Sequence, residues 1–364
     1  MNSPTIGAHN PSPHVVRHQP FNHQVVIVDG QPGCGKTLFT SLISSFDRVE
    51  IMNYSTEVET VCQMYGFGKV TDDAAQLMIQ MKLDEMIYET MMSRKTNFRV
   101  SDLSSVFRHP SPFKYIQRAL QKGDENIPDR IKKERPILNI TTHNLLMNSQ
   151  PLFDACHDQM TFIEIVRHPL YMVKQQALNM KRLLNMPRIF AAYYDYQNTH
   201  LPFFVYGYEK EFIQGNAFDK AVFSMLGITQ RTELFKKNLA AQLKARLITI
   251  PFECFVLNPD TYLNQIYQHL DTDETRVTKK MMKKHKVPRT RLANGIDLPI
   301  YRRCGWQPSQ TNSEFDELEL RRQYLIDQGI SNAALAVLDQ LSQTYEKQYL
   351  SDYAWIWSEV EKVL

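Results

Sequence analysis

The chain has 364 residues, 43% of them hydrophobic and 22% charged, with a formal net charge of +3. That length suits one large α/β domain with appendages, and no apolar run approaches the roughly 20 residues of a membrane helix, which argues against an integral membrane protein. The charge is too small to point to nucleic acid, and the five cysteines, odd in number and without a C-x-x-C pair, suggest neither a metal nor a disulfide framework.

Residues 1–22 are polar and rich in Pro and His, without the pattern of a signal peptide, and read as a disordered tail on a cytoplasmic protein. Its histidines have no fixed ligand geometry, so no metal is expected. Val25 to Val28 is a short β-branched run, as in a strand buried on both faces, followed by a glycine-rich turn and a helical stretch from Lys36 to Ser45. Similar runs occur at Val49 to Met52, Ile137 to Thr141, Phe162 to Val166, Phe203 to Tyr206 and Leu247 to Ile250, with helical patterns between most of them. This alternation predicts an α/β fold of three layers, a mostly parallel central sheet with helices on both faces.

Between the second and third runs, residues 56–135 read as a helical insertion or lid. It contains a methionine-rich helix from about Asp72 to Arg94, whose methionines are expected in the core, and a basic segment with Lys114, Arg118, Arg130, Lys132 and Lys133. A lysine-rich stretch spans Lys279 to Lys286. Residues 313–364 read as C-terminal helices that pack on the main domain, 23–312, or pair with another subunit as a homo-oligomer.

Gly30-Gln31-Pro32-Gly33-Cys34-Gly35-Lys36-Thr37 matches the P-loop pattern G-x-x-x-x-G-K-[ST] in full, between a predicted strand and a predicted helix. Gly30, Gly33 and Gly35 let the backbone wrap a polyphosphate, the helix N-terminus adds a favourable dipole, and Lys36 and Thr37 are placed to contact phosphate or, for Thr37, Mg²⁺. Cys34 is a loop residue that reads as small and space-filling rather than nucleophilic. No apolar run downstream closes on an Asp that would hold a Mg²⁺ shell, and Asp29 is misplaced for that role. Small transferases therefore rank ahead of motor ATPases and switch GTPases.

From about Pro136 onward the chain resembles the sulfotransferase superfamily, whose members use 3′-phosphoadenosine 5′-phosphosulfate. Ile140-Thr141-Thr142-His143 resembles the strand end in which a histidine is the catalytic base, and Phe162 to Pro169 is similar to the strand and R-x-P turn at the 3′-phosphate site. Ile250-Pro251-Phe252-Glu253 with Asn258-Pro259 resembles the family's next strand and helix, and Arg302-Arg303-Cys304-Gly305-Trp306 its closing basic segment. The resemblance implies His143 as base, Lys36 and the loop N–H groups as charge stabilisers, and Arg167, Arg302 and Arg303 as contacts to the 3′-phosphate. Here Thr141 stands where the family has a lysine, Gln175 where it has a serine, and the loop lysine is Lys36 rather than a residue at the Gly33 position.

The main expectation is thus sulfuryl transfer from 3′-phosphoadenosine 5′-phosphosulfate to an acceptor hydroxyl on a saccharide, small molecule or protein. The Lys36 placement, which is ATP-style, keeps open a kinase using ATP with Mg, and a nucleotide-binding module without chemistry is the third alternative.

Overall fold

The computed structural model describes residues 13–102, 104–121, 123, 125–186, 190–292, 311 and 313–353. In chain order, the first part comprises β1 (Gln24–Gly30), α1 (Lys36–Ile43), β2 (Val49–Asn53), α2 (Thr56–Gly66), α3 (Asp72–Met92), α4 (Pro112–Leu120), α5 (Ile127–Glu134), β3 (Ile137–Thr141), α6 (Gln150–Cys156), β4 (Met160–Val166) and α7 (Pro169–Leu183). There follow β5 (Tyr193–Tyr196), β6 (Thr199–Pro202), α8 (Glu209–Gln214), α9 (Ala217–Asn238), α10 (Ala241–Lys244), β7 (Leu247–Pro251), α11 (Phe252–Leu257), α12 (Pro259–Leu270), α13 (Arg276–Lys284), α14 (Glu314–Asp327) and α15 (Asn332–Tyr349).

Five strands form one sheet in the order β2-β3-β1-β4-β7, every neighbouring pair parallel. Alternation along the strands divides the core. Val25 and Ile27 of β1 join Leu138, Ile140 and Phe162 on one face, under α2, α3 and α6. Val26 and Val28 join Ile163, Ile165, Ile248 and Ile250 on the other, with Phe39 of α1 and Phe255 of α11. A strand covered on both faces has no polar side, which is why these segments read as continuous apolar runs. The C-terminal helices complete the second face, since Leu325, Ala334 and Leu338 belong to the same cluster.

Some expectations change. Phe203 to Tyr206 is not a strand: Phe203–Val205 forms one turn of 3-10 helix, packed in a separate cluster with Leu201 and Phe212. Short apolar runs do not distinguish a strand from a buried turn. The neighbouring antiparallel hairpin β5–β6 was not expected, although its two turn residues, Gln197 and Asn198, both have positive φ (50° and 64°), a geometry that Asn tolerates and that suits a tight hairpin. On α3, Met86 and Met91 are buried as expected, whereas Met78 and Met81 lie on the surface, 50% and 55% exposed. Residues 13–22 of the polar tail lie against α3 rather than hanging free: Arg17 Nε and the Phe21 N–H both donate to Asp84, at 3.0 and 3.1 Å. Among the described residues no helix is long and apolar enough to cross a membrane.

The insertion seals the sheet's β2 edge. Glu50 of β2, only 1% exposed, receives Lys114 at 2.8 Å and both terminal nitrogens of Arg118 at 2.8 and 3.1 Å. The Tyr115 hydroxyl donates to Glu50 at 2.7 Å and accepts from the Ile51 N–H at 2.7 Å, which satisfies an edge-strand group that would otherwise be open to a foreign strand. Arg118, which is buried, and Lys114, about a third exposed, thus converge on Glu50 and anchor the insertion. Burial pushes the Glu50 carboxyl up, but Lys114 and Arg118 outweigh it and hold the group at about 2, against an ordinary 4.5. A depressed carboxyl contributes stability above its unfolded value and loses it as pH falls through the folded one. Thermal denaturation should accordingly show stability dropping between about pH 4.5 and 2. Glu50→Gln should flatten that limb and destabilise the protein near neutrality by on the order of 3–5 kcal/mol, because two cations lose their partner.

Candidate active site

Parallel strands deliver their C-terminal ends to one edge of the sheet, the edge at which α/β sheets bind ligands. Here β1 delivers the loop 30–37, β3 on one side delivers His143, and β4 on the other delivers Arg167.

The loop is shaped by close packing. At Gly35, φ is +104° and an added Cβ would lie 2.3 Å from the Phe252 ring; at Gly30, it would lie 2.4 Å from the Ile165 carbonyl oxygen. Only glycine allows the chain to pass so near both neighbours. Gly35 is also the N-cap of α1, so the Lys36 and Thr37 N–H groups sit in the first turn, where no intrahelical acceptor exists. The Lys36 ammonium folds back to donate to the Gly30 carbonyl. Cys34 points away: its side chain is 1% exposed, its N–H donates to Gln31 O at 3.1 Å, and burial raises its thiol. It is a core residue within the loop.

Asp29, the residue before the loop, has a part that sequence reading did not assign. Its Oδ2 accepts the N–H groups of Leu145 and Leu146 at 3.0 and 3.1 Å, and its Oδ1 accepts the Thr142 hydroxyl at 2.9 Å. The turn after β3 is therefore wrapped around one buried carboxylate, and His143 projects from that turn. His143 is 48% exposed; its backbone N–H donates to Glu59 Oε1 at 2.7 Å, its Nδ1 lies 3.2 Å from the same oxygen, and its ring stacks on Tyr54 at 5.8 Å and 16°. Glu59, in the first turn of α2, also went unnoticed in the sequence, since only the folded chain brings it to β3.

Arg167 is 8% exposed, its Nη1 donates to Gly33 O at 3.0 Å, and its guanidinium lies over the rings of Phe252 (4.3 Å) and Tyr171 (5.0 Å). It braces the loop from beneath, far from the surface salt bridge that is the bland reading of such a residue. Glu253 lies 3.8 Å from Arg167 Nε, accepts the His168 N–H at 3.2 Å and receives the Tyr345 hydroxyl of α15 at 2.6 Å. The C-terminal helix thereby supports the arginine's side of the site.

These elements enclose a cavity of about 500 Å³. Its lining brings together Gly33, Gly35, Lys36 and Thr37 with His143, Arg167 and Gln175. Gly30 lies outside this lining, and Arg302 and Arg303 fall outside the described residues. Three further groups complete the wall: Arg108 and His109 from the insertion, Lys284 and His285 at the end of α13, and the buried Arg289. Burial holds His109 and His285 down at about 4, so both imidazoles are neutral around pH 7. The described lining thus contains five cations, Lys36, Arg108, Arg167, Lys284 and Arg289, and no carboxylate. Among the described residues no cluster of His, Cys, Asp and Glu could hold a metal ion.

No family model and no curated protein matches the sequence. Solved structures do resemble it. The sulfotransferase domain from the curacin biosynthetic pathway is 12% identical over 84% of this chain and 98% of its own, with a TM-score of 0.40. The sulfotransferase domain from the Synechococcus PCC 7002 olefin synthase is 11% identical over 85% and 97%, with a TM-score of 0.39. Sulfotransferase STF1 from Mycobacterium tuberculosis H37Rv is 9% identical over 82% and 76%, with a TM-score of 0.35.

Proposed function

We propose that the protein transfers a sulfuryl group from a 3′-phosphoadenosine 5′-phosphosulfate-type donor to an acceptor hydroxyl. The observation that carries this reading is the cavity itself: the loop 30–37 and a solvent-reachable histidine share a described lining that has five cations and no carboxylate. Such a lining suits a donor with several negative charges, and it does so without a carboxylate that would recruit a divalent ion between protein and phosphate. Of the acidic groups around the site, Asp29 and Glu59 are occupied by the hydrogen bonds that hold the His143 turn, and Glu253 by His168, Tyr345 and the neighbouring Arg167.

In this reading His143 accepts the proton of the acceptor hydroxyl as the acceptor oxygen bonds to sulfur. The sulfur–oxygen bond to the donor phosphate breaks, and its electron pair stays on that phosphate oxygen. Lys36 turns from the Gly30 carbonyl to that oxygen, and the first-turn N–H groups of α1 stabilise the same charge. Arg167 holds the loop in shape and presents a cation beneath the phosphates.

Thermal stabilisation tests the donor, because a ligand shifts stability by RT ln(1 + [L]/Kd). Adenosine 3′,5′-bisphosphate should stabilise the protein more than ADP with Mg²⁺ at equal concentration. Preference for Mg·ADP would overturn the assignment in favour of phosphoryl transfer, the reaction to which the loop sequence Gly35-Lys36-Thr37 is also suited.

A further inference from the structure

We propose that Glu59 is a positioning residue that fixes the tautomer and direction of His143, so that its Nε2 is the proton-accepting atom at the cavity; this rests on the reading of His143 as the base. A carboxylate oxygen only accepts hydrogen bonds. Glu59 Oε1 lies 2.7 Å from the His143 N–H and 3.2 Å from Nδ1, so in the neutral ring Nδ1 carries the proton and Nε2 keeps the lone pair. One oxygen thus binds both the backbone and the ring of the same residue, leaving the imidazole little freedom about its own side-chain bonds. Tyr54 closes one face of the ring by stacking at 5.8 Å.

The helical turn that carries Glu59 is itself held in place. Ser55 caps α2 by accepting the Val58 N–H at 3.3 Å, Val58 and Cys62 are buried against the sheet, and the Glu59 side chain is 13% exposed. When the ring takes a proton from the acceptor, the imidazolium keeps an anionic partner at Nδ1 and needs no reorganisation. That is the service a buried acid performs for any histidine base.

The test uses full-length protein with ¹⁵N-labelled histidine. Long-range ¹H–¹⁵N spectra at alkaline pH, with His143 assigned by its loss in His143→Ala, should show the Nδ1–H tautomer in the wild type. Glu59→Ala should show mixed tautomers. Glu59→Gln, which keeps an acceptor oxygen but not the charge, should fall between. In turnover assays Glu59→Ala should lower kcat at least about tenfold, with the donor KM unchanged, and should add no loss in a His143→Ala background. A wild-type Nε2–H tautomer overturns the proposal. So does wild-type kcat in Glu59→Ala when His143→Ala is inactive, or a Glu59→Ala loss that persists in full in the double variant. Full activity in His143→Ala would instead remove the base assignment, and the base-positioning role of Glu59 with it, even where the spectra show the expected tautomer.

Discussion

Lys36→Met should reduce kcat by about 100- to 1,000-fold, the loss that follows removal of one preorganised donor at a developing negative charge. The fold should survive, because Lys36 is partly exposed and, among the described residues, its side chain donates to the Gly30 carbonyl alone. Unchanged circular dichroism and melting temperature, together with a collapsed turnover of labelled donor, would separate chemistry from folding. Turnover within a few-fold of wild type would sink the idea that this ammonium stabilises the leaving oxygen, whichever group is transferred.

The second large effect concerns stability. Asp29 is 2% exposed and satisfies three donors, so Asp29→Ala should cost on the order of 3–5 kcal/mol by leaving the Leu145 and Leu146 N–H groups and the Thr142 hydroxyl without their acceptor. Asp29→Asn should cost much less, about 1–2 kcal/mol. Its carbonyl oxygen can replace Oδ2 for the two N–H groups, and its amide can donate to the Thr142 hydroxyl. Denaturant titration of the three proteins measures the difference. Equal losses for Ala and Asn would mean that the charge, not the hydrogen-bond geometry, holds the turn. Both variants should also weaken donor binding and turnover, since the same residue stands next to Gly30 at the end of β1 and anchors the His143 turn.

Local patterns made part of this legible before the fold was known. The loop 30–37 is a contiguous motif whose context, strand then helix, is also local, and the strands ending at Thr141, Val166 and Pro251 lie within two residues of the apolar runs that announced them. Long-range pairings left no such trace. Nothing near Glu50 in sequence signals that Lys114 and Arg118 will converge on it, so those cations read only as a basic segment of the insertion. Glu59 is one more acidic residue in a first helical turn until β3 places His143 beside it. Arg167 was marked by its position after a strand, but its place between Phe252 and Tyr171 follows from the packing of α7 and α11, which no periodicity reveals. Arg108 and His109 line the cavity only because the buried Glu50 cluster holds the insertion against β2.

Because β1 and β3 are hydrogen-bonded neighbours, with Val28 opposite Thr141, the loop 30–37 and His143 leave the sheet one strand apart, a gap of about 4.8 Å between adjacent backbones. That gap works as a fixed gauge. The sheet fixes where the two backbones leave it, while Glu59 of α2, inside residues 56–135, fixes how His143 turns from there. On the proposed reading, the reach between donor and base is set jointly by the sheet and by the first turn of α2, while Arg108 and His109 are brought to the cavity by a later part of the same segment, clipped to the β2 edge. Changes confined to that later part would redraw the cavity wall beside Arg108 and His109 and leave the spacing of the β1 and β3 ends where the sheet sets it.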